Sequence, residues 1–277
     1  MVLRYTYPVL LCILILMQGR WGYAVKDEIF RENETKISHH IKSAEVGLFT
    51  MDELLNFHVG QKLPIFFPIR NLSLYPPFFL PPKYQNIIPF IKPAAMFNLF
   101  KVPPSSPKGK AFLGTLYSCD SINGETTKIC ATSLDSMLGF VKKAFGPDVD
   151  FKFITTTHPT LTTPVFQNYT VLEPPVEIVS VKKVPCHPFP YFYAIYFCHT
   201  DLNYETRAFK LRLVGDGSGD EVEAVIVCHL DSKNLSSDHL VFRMLGVEKG
   251  SSYCHVFRQG DILWIQQQTS GGGVAAV

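Results

Sequence analysis

Four of the chain's seven cysteines are each followed directly by a histidine: Cys186-His187, Cys198-His199, Cys228-His229 and Cys254-His255. Chance does not arrange a chain with nine histidines in this way. Ten residues separate the first two pairs, 28 the second and third, and 24 the third and fourth. None of these intervals is the C-x2-C of a zinc ribbon or finger. Neighbouring residues on a strand point to opposite faces of a sheet, and the runs ending in Cys198 and Cys228 are strand-like. If all four dipeptides lie on strands, the cysteines can staple one side while the imidazoles gather on the other. Four cysteines allow three pairings, and the sequence does not choose among them.

The N-terminal 24 residues read as a cleaved secretory signal. Arg4 supplies the positive region, Val9 to Met17 form an uninterrupted apolar run, and Gly22-Tyr23-Ala24 places small residues where a signal peptidase reads. Gln18, Gly19 and Arg20 end the run well short of the roughly 20 apolar residues of a membrane span. Cleavage would remove Arg4, Arg20 and Cys12, leaving 24 basic residues against 24 acidic and six cysteines. That balance has no basic stripe for nucleic acid to select, and no membrane attachment is expected after cleavage. An even cysteine count suits the oxidising compartments that secretion leads to. The sequons at Asn33, Asn71, Asn168 and Asn234 become candidate glycosylation sites there. A hydrophobic content of 47% rules out disorder over most of the chain.

Residues 25–46 are polar, without a sustained apolar period, and read as a short arm. Thr50-Met-Asp-Glu53 is a capping box opening a short helix through Leu54, Leu55 and Phe57 that Gly60 can end. From Leu63 to Pro107 the chain is rich in Pro and Phe, which predicts extended segments and turns rather than long helices or central strands. Cys119 and Cys130 flank an Asn123-Gly124 turn signal, so a local disulfide between them is expected. Leu134, Met137, Leu138, Val141 and Phe145 recur at helical spacing behind Thr132 or Ser133, and Gly146-Pro147 ends that helix. The runs Val176–Val181, Tyr191–Phe197, Arg207–Val214, Glu221–Val227 and Ile262–Ile265 read as strands. The predicted class is α+β: a disulfide-stapled, mainly antiparallel sheet in the C-terminal half, behind a few helices and Pro-rich segments.

The four Cys-His pairs, in this order of spacing, resemble the defining pattern of the BURP-domain proteins of plants. Phe49-Thr-Met-Asp-Glu-Leu54 with Gly60 is similar to that domain's opening motif, and Phe79-Leu-Pro81 with Ile88-Pro-Phe90 to its second. Gly124-Glu125 leading to Cys130-Ala-Thr-Ser-Leu-Asp-Ser-Met137 resembles its central segment, and Tyr191-Phe-Tyr-Ala-Ile-Tyr-Phe-Cys-His199 and Ile262-Leu-Trp264 fit as well. The resemblance places one domain at residues 47–267 and leaves 268–277 as a flexible tail. It departs at Leu235 and Ser236, where many members carry Trp and Asn-Pro, although His239 and Phe242 fit.

Some members of that family are copper-dependent cyclases that join a Tyr or Trp ring oxidatively to another residue of a peptide. By resemblance His187, His199, His229 and His255 are the candidate copper ligands and catalytic residues. Neutral imidazole suits copper, which with oxygen oxidises phenols and indoles where ordinary side chains cannot. Asp231, two residues after His229 and on its face if the strand persists, is the candidate to orient that ring. The competing reading is that these histidines only hydrogen-bond in a stapled core. Fused cyclases carry core peptides ahead of the domain, but residues 25–46 contain no Trp, Tyr or repeat, so the expected partner is a separate precursor peptide or a cell-wall component. The short arm resembles the unknown-seed-protein-like members, linked to seed development, stress or the cell wall, and the alternative is a non-catalytic wall-associated protein. The expected destination is extracellular, in the wall, or else the vacuole. Gly215-Asp-Gly217-Ser-Gly219-Asp reads as a β-turn rather than a phosphate cradle, because no helix follows it. His39, His40, His58 and His158 are assigned no metal.

Overall fold

The computed structural model describes residues 43–68, 70–85, 93–122, 126–157, 166–200, 206–233 and 235–267. The expected signal, most of the arm, the tail, Asn33, Asn234, His39, His40, His158 and the Asn123-Gly124 turn lie outside the described residues. In chain order the elements are β1 (Leu48–Phe49), α1 (Met51–Leu55), β2 (Lys62–Phe66), α2 (Pro82–Gln85), α3 (Pro93–Leu99), α4 (Pro107–Asp120), β3 (Lys128–Ala131), α5 (Leu134–Phe145), β4 (Phe151–Ile154), β5 (Phe166–Val171), β6 (Val176–Glu177), β7 (Lys183–Phe189), β8 (Ile195–His199), β9 (Thr206–Gly215), β10 (Glu221–His229), α6 (Leu240–Leu245), β11 (Tyr253–Val256) and β12 (Ile262–Gln266). They form two compact units, one from 73–124 and 189–194, the other from 41–72, 125–188 and 195 onward.

The larger unit holds two antiparallel sheets. One has the order β1-β11-β10-β9-β5-β2, with β6 also beside β9, and the other β3-β8-β7-β12-β4. Strand alternation decides what each face does. Phe209, Leu211 and Leu213 of β9 join Val222, Ala224, Ile226 and Cys228 of β10 in one core layer, which α1 covers with Met51 and Leu54. The intervening Ala208, Val225 and Val227 face the other way and pack with Leu263 and Ile265 of β12 and with Phe257, forming the layer between the sheets. Each large apolar side chain so buried contributes roughly 1.5–3 kcal/mol.

Local chemistry sets the ends of these elements. The capping box forms as expected: Thr50 Oγ1 accepts from Glu53 N, and the Glu53 carboxylate accepts from Thr50 N. Asn56, rather than Gly60, caps the C-terminus of α1. Ser133 caps α5, and Gly146 ends it. Its buried face is Met137, Phe140, Val141 and Phe145, leaving Leu134 exposed. Pro64 is tolerated in β2 because that strand lies at the sheet edge. The turn from Gly215 to Asp220 closes the β9-β10 hairpin, with Gly219 at φ +71°. Its backbone N–H groups at Gly217 and Ser218 donate to Gln167, so the loop is a turn and no phosphate cradle.

Two predicted strands are shorter than their apolar runs. Val176–Val181 pairs only at Val176–Glu177, and Val179 and Val181 are exposed. The run from Tyr191 enters a strand only at Ile195, because Tyr191–Ala194 belongs to the smaller unit. There Tyr191 N and Ala194 N donate to Leu74 O and Phe78 O.

The smaller unit is built on α4, a 14-residue helix inside or just after the stretch expected to be extended. Ser106 caps it, its side chain accepting from Gly109 N, and Pro107 at the first helical position brings a pre-set φ without losing a bond. Gly109 is required by contact: a Cβ there would lie 2.2 Å from Pro103 O. Phe112 packs on Tyr191 and Phe192, and Phe97 and Phe100 on Phe192, with centroids 4.5–5.7 Å apart. Burial raises the Tyr193 phenol to about 12. Among the described residues no helix is long and apolar enough to cross a membrane.

Candidate functional site

All four Cys-His dipeptides lie on strands of the larger unit: His187 on β7, His199 on β8, His229 on β10 and His255 on β11. Cys228 stands directly opposite Cys254 and bonds to it, and Cys186 bonds to Cys198 on the neighbouring strand. Of the three pairings open from sequence, the chain uses the one that keeps each disulfide within one sheet. Cys119 and Cys130 are disulfide-bonded as well.

The sulfurs of Cys228 and Cys254 sit in the core layer under α1. Alternation therefore turns His229 and His255 to the face of Val225 and Val227, toward the second sheet. In that sheet Cys186 pairs with Ile262, on the face opposite Leu263, so His187 and His199 point back toward the first. The four imidazoles meet between the sheets in a closed ring. Centroids are 5.7 Å apart for His187 and His199, 5.9 Å for His199 and His229, 5.6 Å for His229 and His255, and 5.7 Å for His255 and His187.

Aromatic side chains frame this ring. Tyr253 stacks on His229 with centroids 4.9 Å apart. Phe257 lies 5.5 Å from His255 and 5.3 Å from His187, and Phe197 lies 5.6 Å from His199. His255 is held well below the ordinary imidazole range, first because burial disfavours its charged form and then because three other imidazoles crowd it. Neutral imidazole is the form that ligates metals.

Asp261, which the sequence reading did not single out, stands behind His187. Its Oδ1 lies 3.3 Å from His187 Nδ1 and accepts from an Arg70 terminal nitrogen at 2.7 Å, while Oδ2 accepts from Arg258 N at 2.6 Å. Its side chain is only 6% exposed and that of Arg70 16%. Asp231, expected to orient His229, is instead turned to Lys233: it accepts from the backbone N at 2.7 Å and pairs with the ammonium at 3.1 Å. That places it in a local turn after β10, because the strand ends at His229 and the period-2 rule no longer applies. His58 Nδ1 lies 3.3 Å from Asn56 O. Asn71 and Asn168 are exposed.

Imidazole is the donor type that suits a metal taking nitrogen ligands. Four imidazoles on one tetrahedral ion, with bonds of about 2.0 Å, would set neighbouring centroids about 5 Å apart. The observed centroids, 5.6–5.9 Å apart, are wider than that by roughly 0.6–0.9 Å, and among the described residues no three His, Cys, Asp or Glu side chains converge on one metal position.

The BURP domain matches this chain over residues 48–266. The chain belongs to the BURP-domain family. It is 36% identical to the BURP domain protein USPL1 of Arabidopsis thaliana over 244 residues, which cover 83% of this chain and 85% of that one. It is 32% identical to BURP domain-containing protein BNM2A of Brassica napus, over 95% and 97% of the two chains. Protein RAFTIN 1A of Triticum aestivum is 34% identical over 74% of this chain and 52% of its own length. Several BURP motifs have places in the fold, while Ile88-Pro-Phe90 and Gly124-Glu125 lie outside the described residues. The opening motif is β1 with the capping box of α1, and the central segment runs from β3 into the cap of α5. Ile262 of the last motif pairs with Cys186 beneath the ring. In the loop where the motif departs, Ser232 is buried and accepts from Gly250 N, and His239 caps α6.

Proposed function

We propose that this BURP-domain protein is a secreted copper protein that acts as an oxidative cyclase on Tyr- or Trp-containing peptides supplied by a separate precursor. The observation that carries the reading is the closed ring of four imidazoles, two from each sheet, on the face opposite the disulfides. Copper held by His187, His199, His229 and His255 would supply a one-electron oxidant for a phenol or indole, which amino-acid side chains alone do not provide. The chain's own contribution is to keep His255 neutral and to position His187. Phe257 packs against His187 and His255, Phe197 against His199, and Tyr253 stacks on His229. Overall, cyclisation removes two hydrogen atoms from the peptide as one bond forms between its side chains, and dioxygen takes them up as peroxide.

Copper loading followed by metal analysis and electron paramagnetic resonance tests the first half. Aerobic incubation with Tyr- and Trp-containing peptides, read by mass spectrometry for loss of two hydrogens, tests the second. A protein that retains no copper after loading sinks the enzyme reading. One that retains copper but leaves every such peptide unmodified favours a non-catalytic role in the wall. Fusing the signal segment to a reporter and locating it in wall or vacuole decides the destination.

A further inference from the structure

We propose that Asp261, clamped by Arg70, is the positioning residue of the histidine ring, fixing the tautomer of His187 so that Nε2 is the nitrogen offered to a metal. The proposal rests on the copper reading above and adds which chain groups aim the ligand.

Both oxygens of Asp261 have assigned work. Oδ2 accepts from Arg258 N across the turn in which Asp261 N donates to Arg258 O. Oδ1 faces the Arg70 guanidinium and His187 Nδ1 together. A carboxylate beside a guanidinium only accepts, so the hydrogen between Asp261 and His187 belongs to Nδ1. The neutral ring then keeps its lone pair at Nε2.

Arg70 makes this arrangement rigid. Its backbone N donates to Gln259 Oε1 at 2.9 Å, its Nε donates to Gln259 O, and another terminal nitrogen reaches Pro188 O at 3.4 Å. One side chain thus grips the turn that carries the carboxylate and the residue next to His187. A guanidinium fork suits this task, because its planar donors fix direction as well as charge.

The discriminating variant pairs Asp261→Asn with Arg70→Leu, because the guanidinium would otherwise compete for the amide oxygen at the Oδ1 position. With Arg70 removed, the amide oxygen accepts from Arg258 N, whose hydrogen is fixed, and the amide NH2 turns toward His187 Nδ1. That forces Nδ1 to accept and moves the ring proton to Nε2, which blocks the ligating nitrogen. The test uses metal-free, 15N-histidine-labelled protein at about pH 8, where an ordinary imidazole is neutral. Long-range proton–nitrogen spectra report which nitrogen carries the hydrogen, with His187 assigned by its loss in His187→Gln.

The wild type is expected to show His187 protonated at Nδ1 and the Arg70→Leu, Asp261→Asn double variant at Nε2. Copper(II) titration followed by electron paramagnetic resonance should then give about 10–100-fold weaker binding in the variant, with altered hyperfine splitting. A wild-type His187 protonated at Nε2 overturns the proposal even if the variant fails to fold. Unchanged copper affinity and spectrum in a folded variant overturn it too. A wild type showing Nδ1–H that binds no copper instead overturns the copper reading, and leaves Asp261 fixing a tautomer with no metal to receive it.

Discussion

Stacked rings line both halves of the histidine ring, and the second sheet adds an ion pair to its half. On the first sheet His229 and His255 lie in a stack, 5.6 Å apart and nearly parallel, with Tyr253 on one and Phe257 against the other. On the second, His187 is tied to a buried carboxylate and, through it, to Arg70. Burial among other imidazoles favours the neutral form of a ring, as at His255, but does not by itself choose between its two nitrogens. A carboxylate distinguishes them. A site that needs one directed nitrogen therefore needs the ion pair on at least one side, and a site that needs a low proton affinity needs the burial on the other.

The largest expected effect tests the ionic side. Arg70→Met strands a carboxylate that is 6% exposed. It should cost about 3–5 kcal/mol in guanidinium unfolding, and a loss under about 1 kcal/mol would mean the pair does not matter to the fold.

Next comes the staple beneath the stack. Replacing Cys228 and Cys254 together by serine opens a loop of 26-residue separation. The expected cost is about 3 kcal/mol, accompanied by loss of copper uptake. Uptake equal to wild type would show that the disulfide does not place the imidazoles.

A third test uses acid. The folded-state affinity of His255 for protons is below its unfolded value, so the unfolded chain binds the extra proton. Stability of the metal-free protein should hold above about pH 6.5 and fall as pH drops from there toward the folded value, by up to about 1.4 kcal/mol per pH unit. Urea midpoints measured against pH should fall less steeply in His255→Gln; identical slopes would place the acid sensitivity elsewhere.

The smallest effect is that of Tyr253→Leu, which removes one stacked ring and should cost about 0.5–1.5 kcal/mol. Calorimetry on the metal-free protein checks it, and no change would leave the stack without an energetic role.

Much of this was legible where the physics is local. The Thr50–Glu53 capping box, the alternation of Phe209, Leu211 and Leu213, and the opposite facing of adjacent Cys and His all follow from residues within a few positions of one another. What depends on register was not legible. Asp261 is 74 residues from His187 and meets it only because β12 pairs with β7. Asp231, two residues from His229, looked closer and is turned elsewhere because the strand stops. Helix α4 was hidden by the surrounding prolines, yet Ser106-Pro107 is a start signal in its own right. The disulfide pairing needed strand neighbours that no spacing gives.

Adjacency within each Cys-His dipeptide has an effect on assembly itself. Sliding β11 along β10 by one position would send His255 into the packed layer under α1 and Cys254 out among the imidazoles, with no sulfur opposite Cys228. The covalent bond can close only when the strands are aligned, so its formation proofreads the placement of a ring it never touches.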